Sequence, residues 1–303
     1  MEKFFVNSEF DKLPLRVNVC EPNGEKKAIV LFLHGMAEHI DRYAFAMEFL
    51  ANQGYVAAGH DHRGHGESVR AETDLGYFGD PSGNAVVDDV YAVVNALKER
   101  YAGLPVYLFG HSMGTLVARC YLQTYADTVE KVVLCGAPAE NPLAEIAIVL
   151  TKCIAFFKGE RHRSKTLSDL SVGGGDKKFP ADGKNAWLSK NKDNREKYNA
   201  DPLCGYTFTC NGYENLFRLL ANAYADEKFK GVNPALPIRF IAGADDPIIV
   251  SENAFVKAQE SLRRVGYQNV SGKLYSGLRH ELLNEDERET VLQDVCDFLE
   301  KSV

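Results

Sequence analysis

The sequence predicts an α/β protein: a mostly parallel, eight-stranded sheet covered on both faces, interrupted late by a helical insertion. Three observations carry this. Short apolar runs such as Ala28–Leu33 and Val106–Phe109 suit strands buried on both faces of a parallel sheet. Helical patterns alternate with them, and strand–helix alternation means a sheet with helices on both sides. From Pro138 to about Gly231 the alternation stops, and after that it resumes.

In chain order, Phe4–Ser8 and Leu15–Cys20 alternate as strands on either side of loops, with Pro22-Asn-Gly24 as a turn. Ala28–Leu33 ends in His34-Gly35-Met36, where a glycine lets the backbone turn out at the carboxyl edge of a central strand. The Met36 N–H is there a candidate oxyanion donor. Arg42–Asn52 reads as a helix stopped by Gly54, and Tyr55–Gly59 as the next strand. Ala85–Arg100 places Val86, Val90, Val93, Val94 and Leu97 on one helical face. Val106 onward is a strand, Met113–Tyr125 a helix and Lys131–Cys135 another strand. Ile146–Phe157 is a broadly apolar helix, followed by polar, Gly-rich loop at Ser171–Gly175 and scattered aromatics. Ile238–Ala242, Ser251–Val265, Val270–Tyr275 and Arg288–Leu299 then close the chain as strand, helix, strand and helix. The core is thus expected at 1–137 and 231–303, with 138–230 as a lid over an apolar pocket. A packing-only helical subdomain is the plainer reading of that insertion. An interfacial helix is a third, because Lys158, Arg161 and Arg163 follow the apolar run.

Gly110-His111-Ser112-Met113-Gly114 joins a strand directly to a helix. A residue at so tight a junction is strained, and flanking glycines let neighbouring backbone crowd in. Ser112 is thereby lifted clear of the sheet, with the Met113 N–H at the helix start facing whatever it attacks. An idle serine in a Gly-rich turn is the alternative. Ser112, Asp246 (or Asp245) and His280 all fall at carboxyl ends of different strands. A serine hydroxyl needs a base, a histidine titrates near neutrality, and a buried carboxylate fixes the imidazole tautomer. The order Ser…Asp…His is that of strand–elbow–helix hydrolases. His280 alone could be a capping or surface histidine.

His60, His62 and His65 spell H-x-H-x-x-H, close to a metal signature. Gly64 stands where that signature needs an aspartate, and no carboxylate or thiolate completes a shell. A Gly-rich structural loop with solvated histidines is the expectation, with no metal and no organic cofactor.

The chain has 303 residues, 45% hydrophobic, and a net charge of −7, which favours neither nucleic acid nor a broad anionic membrane surface. Seven scattered cysteines without C-x-x-C suggest free thiols in a reducing compartment. The first residues lack a signal-peptide core and no apolar run approaches a membrane span, so a cytoplasmic protein is expected.

Several stretches together resemble the monoacylglycerol lipase/lysophospholipase group of α/β-hydrolases. They are His34-Gly-Met-Ala-Glu-His-Ile-Asp-Arg-Tyr43, Asp61-His-Arg-Gly-His-Gly-Glu-Ser68, Gly110–Gly114, Asp201-Pro-Leu-Cys204, Gly243-Ala-Asp-Asp-Pro247 and Arg279-His-Glu-Leu-Leu-Asn284. The resemblance spans nearly the whole chain and is weakest in the insertion. It implies the α/β-hydrolase fold, selects Asp246 over Asp245, and assigns the oxyanion donors to Met36 and Met113. It also implies that Glu38, Arg42 and His111 stand near a glycerol head group. For Glu38 and Arg42 an ion pair bracing the loop is the alternative. The implied activity is hydrolysis of a small-molecule fatty-acyl ester, a monoacylglycerol or lysophospholipid, through an acyl-enzyme, with transient membrane or micelle contact through the lid. A short-chain or aryl esterase and an aminopeptidase could use the same triad. A peptidase would gather acid to hold an amine, and Glu160, Asp169, Asp176 and Asp182 are its candidates. A ligand-binding protein on this fold would not need an intact triad.

Overall fold

One sheet runs through the molecule. Its strands are β1 (Glu2–Asn7), β2 (Pro14–Cys20), β3 (Ile29–Leu33), β4 (Val56–His60), β5 (Val106–His111), β6 (Lys131–Cys135), β7 (Ile238–Gly243) and β8 (Val270–Tyr275). The structure, a computed structural model, describes residues 1–172 and 174–301. Side by side the order is β1-β2-β4-β3-β5-β6-β7-β8. β2 pairs antiparallel with β1 and β4, and every other pairing is parallel.

The helices are α1 (Ala44–Asn52), α2 (Ala85–Arg100), α3 (Met113–Tyr125), α4 (Ala144–Lys158), α5 (Lys165–Val172), α6 (Lys192–Ala200), α7 (Cys210–Ala223), α8 (Glu252–Arg264) and α9 (Arg288–Glu300). Both sheet faces are covered, and β3 shows why its sequence is apolar without a break. Ile29, Leu31 and Leu33 join the core formed with α2, α3 and α8, whereas Val30 and Phe32 join the core formed with α1 and α9.

The expected elements recur with bounds moved by a residue or two, apart from the first helix. There Ile40–Tyr43 forms a 3₁₀ turn, and the α-helix begins only at Ala44. Between β6 and β7 the loop expected after Ser171 gives way to real helices on both sides of it, α5, α6 and α7. α6 reads KDNREKYNA and buries only Arg195 and Tyr198, so it has no apolar stripe to detect. α7 has a stripe, but Asn211, Gly212 and Asn215 weaken its helical signal. Its start is set by Thr209, whose side chain accepts from the Gly212 N–H, and its apolar face packs on α4 and α3.

The expectation of solvated histidines after β4 is overturned. His60, His62 and His65 are wholly buried and pack with His34, the ring centroids of His34 and His62 lying 4.5 Å apart. Arg63 draws the loop inward. Its guanidinium is buried against Asp89 (Nε–Oδ2 2.7 Å) and donates to the Phe78 carbonyl at 2.8 Å. Phe78 and Phe208 then close over the edge of His65.

Among the described residues no helix is long and apolar enough to cross a membrane. α4 nevertheless presents Ile146, Val149, Phe156 and Phe157 to solvent, both phenylalanines being more than four-fifths exposed at 83% and 82%.

Candidate active site

β5 runs into α3 with a single residue, Ser112, between them. Ser112 has φ +51° and ψ −117°, a conformation that costs a side-chain-bearing residue ~1–3 kcal/mol. Its surroundings hold it there. The Ser112 N–H donates to the Cys135 carbonyl at 2.9 Å, and Thr115 returns its N–H and hydroxyl to the Ser112 carbonyl at 2.9 and 2.7 Å. A Cβ on Gly114 would overlap the Leu33 carbonyl, and one on Gly110 would meet the Gly114 carbonyl at 2.6 Å, so the elbow closes only with glycine at both places.

The sheet order brings the other groups in. β3 lies between β4 and β5, so the loop leaving β3 rises directly beside Ser112. Gly35 sits against the serine, where a Cβ would be 3.2 Å from Ser112 Cβ. Met36 follows, and among the described residues its N–H donates to no protein acceptor. From β7 and β8 come Asp246 and His280, both buried, with Asp246 Oδ2 2.8 Å from His280 Nδ1. Asp246 Oδ1 accepts the Ile248 N–H at 2.8 Å, which holds the carboxylate in place. Asp246, rather than Asp245, is the acid that meets the histidine.

His280 Nε2 is buried and has no hydrogen-bond partner among the described residues. It lines the same cavity as Ser112, Met36 and Met113. Burial pulls the His280 pKa down, but the charge and hydrogen bond of Asp246 outweigh it, and the value ends above that of an ordinary histidine. The neighbouring ring of His111, 4.7 Å away, goes the other way: burial, then the proximity of His280, lowers it to about 4. One imidazole is tuned to take up a proton, the other to stay neutral.

Glu38 and Arg42 belong to a buried ion cluster. Glu38 accepts from the Gly35 N–H at 2.6 Å and the Tyr43 hydroxyl at 2.8 Å, and pairs with Arg42. Arg42 grips Glu281 with two bonds of 2.6 Å and also reaches Asn194 at 3.0 Å. Burial would raise both carboxyl pKa values, yet the Arg42 charge wins and holds them low. Glu38, His111 and Glu281 line the cavity; Arg42 does not. The cluster ties the β3 loop to the residue next to His280.

Two residues at the site were not singled out from the sequence. Glu281 neighbours His280, but its partner Arg42 is remote in the chain. Trp187 lies against His280 with ring centroids 4.9 Å apart and the rings tilted by 41°, and its carbonyl accepts the His280 backbone N–H at 3.4 Å. Its being the only tryptophan was the one available signal.

The cavity measures about 240 Å³. Leu170, Leu216, Phe217, Leu220 and Ile248 line it, together with the polar groups that gather around Gly35 and Ser112. Such a site can activate a hydroxyl beside a base whose tautomer is fixed.

Residues 24–287 match the family described as serine aminopeptidase, S33. The chain belongs to that family. Among S33-like relatives, the monoacylglycerol lipase of Mycolicibacterium smegmatis is 26% identical over 93% of this chain and 91% of its own. The phospholipase YtpA of Bacillus subtilis is 26% identical over 91% and 96%. A thermostable carboxyl esterase from Bacillus coagulans, solved with glycerol, superposes with a TM-score of 0.90 at 25% identity, covering 98% of this chain and 97% of that one. The α/β-hydrolase fold and the hydrolase family expected from the sequence both hold.

Proposed function

We propose that this chain is a serine ester hydrolase acting on fatty-acyl esters with a small polar head, a monoacylglycerol or a lysophospholipid. The observation that carries the reading is the Ser112–His280–Asp246 group opening on an apolar cavity. Ser112 attacks the ester carbonyl as His280 Nε2 takes its proton, and Asp246 steadies the imidazolium. The N–H groups of Met36 and Met113 hold the oxyanion. His280 returns the proton to the leaving alcohol, and water, activated by the same histidine, releases the acid from the acyl-enzyme. Residues 138–230 act as the lid, its α7 side chains Leu216, Phe217 and Leu220 receiving the acyl chain. Glu38 and His111 face the head group, with Arg42 behind Glu38 as its brace.

The named relatives act on monoacylglycerols and phospholipids, and the esterase neighbour holds glycerol, which supports an ester with a polyol-sized head. The family description raises a peptidase as second reading. Against it, Glu160, Asp169, Asp176 and Asp182 are absent from the cavity lining, and Asp169 and Asp182 pair with Lys165 and Arg279. The two acids that do line it, Glu38 and Glu281, are both taken up by Arg42, although together they outnumber its charge by one. The exposed apolar side of α4, with Lys152 and Lys158 on the same helix, supports transient contact with a membrane or micelle. A cytoplasmic setting, suggested by the scattered cysteines, is testable by fractionation.

Initial rates on p-nitrophenyl esters of rising chain length, beside a 1-monoacylglycerol, test the reading. Ser112→Ala should lower turnover by roughly 10⁴-fold or more with the fold intact. Ser112-independent activity would defeat the mechanism, and activity confined to acetyl and butyryl esters would defeat the lipase assignment.

A further inference from the structure

Three positions beyond Met36, His39 is buried against the insertion and does not line the reaction cavity. Its Nε2 lies 2.9 Å from Asp201 Oδ2. Its Nδ1, 3.6 Å from Asp41 Oδ2, is too far for a hydrogen bond and has no partner among the described residues. A turn closed by the Cys204 N–H on the Asp201 carbonyl (3.0 Å) brings the Cys204 thiol to the same place. One ring nitrogen, one Asp201 oxygen and the Cys204 sulfur all lie within 4.8 Å of one another. Zinc–ligand bonds of ~2.0–2.3 Å put tetrahedral ligand atoms roughly 3.3–3.8 Å apart, so small side-chain rotations would close the set. Among the described residues it is the one His/Cys/Asp/Glu group with such spacing.

We propose that His39, Asp201 and Cys204 bind a thiophilic divalent cation, zinc in particular, which staples the insertion to the oxyanion loop. A sulfur, an imidazole nitrogen and a single carboxylate match zinc and exclude magnesium and calcium, which demand shells of oxygen. Three protein ligands leave the fourth position to water or to Asp41. Access is from outside: Asp41 and Asp201 border a polar cleft of about 470 Å³, separate from the reaction cavity. On binding, Zn–S and Zn–N bonds form, the thiol and imidazole protons leave to solvent, and Asp201 changes from hydrogen-bond acceptor to ligand.

The site spans the joint between insertion and core. Ala37, between Met36 and the candidate ligand, sits at φ +51°, and its carbonyl accepts from both the Gly205 N–H (2.9 Å) and the Tyr198 hydroxyl (3.2 Å). A metal bridging His39 to Cys204 adds a bond across these contacts. It opposes any movement of the insertion away from Met36, and the expected consequence is slower turnover.

Metal-free full-length protein titrated with Zn²⁺ against a chromophoric chelator reads the binding without any turnover. A chain that hydrolysed no ester would leave this result standing. One equivalent is expected to bind, with affinity about tenfold or more weaker in both Cys204→Ala and His39→Gln. Should His39→Gln fail to fold, cobalt supplies the second measurement. Co²⁺ should give a thiolate-to-metal charge-transfer band that survives in Cys153→Ser, which removes the exposed cysteine, and vanishes in Cys204→Ala. Absence of stoichiometric binding, unchanged affinity in Cys204→Ala, or a band that depends on Cys153 would each overturn the proposal.

Discussion

Two residues decide how well His280 performs, and both are open to measurement. As the proposed base His280 must be neutral, and the Asp246 carboxylate raises its pKa in spite of burial. The acid limb of kcat/KM should therefore inflect above ~6.5, the ordinary histidine value. In Asp246→Asn the residual activity should inflect at lower pH, because the largest contributions opposing burial are lost and only the more distant charges of Glu281 and Glu38 remain. A wild-type inflection at or below that value would contradict the assignment. Gly136, just past β6, has φ +61°, and a Cβ there would lie 3.1 Å from two His280 ring atoms and 3.3 Å from Asp246 Oδ2. Gly136→Ala should displace the imidazole and lower kcat/KM by roughly 10–100-fold while urea unfolding stays cooperative. Unchanged kinetics would mean that the ring tolerates the shift. Ser112 and His280 were legible from motif and order, and Asp246 needed the family resemblance to separate it from Asp245. The roles of Glu281 and Trp187 were not legible, since each acts through a partner brought close only by folding.

At the scale of elements, α4 carries the sharpest contrast between sequence and setting. Its run of apolar residues reads equally well as a buried helix or an interfacial one. In the structure Ala147, Ile148 and Thr151 face inward, and Ile146, Val149, Phe156 and Phe157 face solvent. If this side meets lipid, Phe156→Ser with Phe157→Ser should weaken sedimentation with phospholipid vesicles. Hydrolysis of a vesicle-embedded monoacylglycerol should fall, with rates on a water-soluble butyrate ester unchanged. Equal losses on both substrates would place the defect in the cavity instead. α7 escaped the sequence reading because Asn211, Gly212 and Asn215 weaken its helical signal, and α5 and α6 did so for a related reason. Short helices that bury one or two side chains against neighbours need no strong internal period.

At the scale of the whole molecule, charge burial governs the response to acid. His34, His60, His62, His65 and His111 are buried with lowered pKa values, to about 3 for His60 and about 4 for His65 and His111. An unfolded histidine titrates near ~6.5, so below that pH the unfolded chain binds protons that the folded chain refuses. Their destabilisation is absent above ~6.5 and grows as pH falls toward 4, at roughly 2 kcal/mol per fully neutral histidine at pH 5. His39 and His280, whose pKa values are raised, contribute their full stabilisation below ~6.5 and lose it only at higher pH, so on the acid side they add a constant and leave the slope unchanged. Unfolding followed by circular dichroism should therefore set in steeply between about pH 6 and 4. His60→Leu, which removes one of these groups at a site with no ring hydrogen bonds, should move the midpoint to lower pH. A midpoint that does not move would remove the buried histidines as the cause.

By itself the sequence determined the sheet, its covering helices and the strand ends on which reactive groups stand. Those features follow from local periodicity and from glycines at positions where a side chain has no room. Tertiary structure alone decided which of these groups meet. The parallel order around β3 and β5 sets Met36 beside Ser112, and the insertion lays Trp187 on His280. It also turned a loop of three histidines from solvent to core, because a buried Arg63–Asp89 pair outweighed the loop's polar composition. Pairings between distant residues leave no period in the chain, and their energies exist only once the chain has folded.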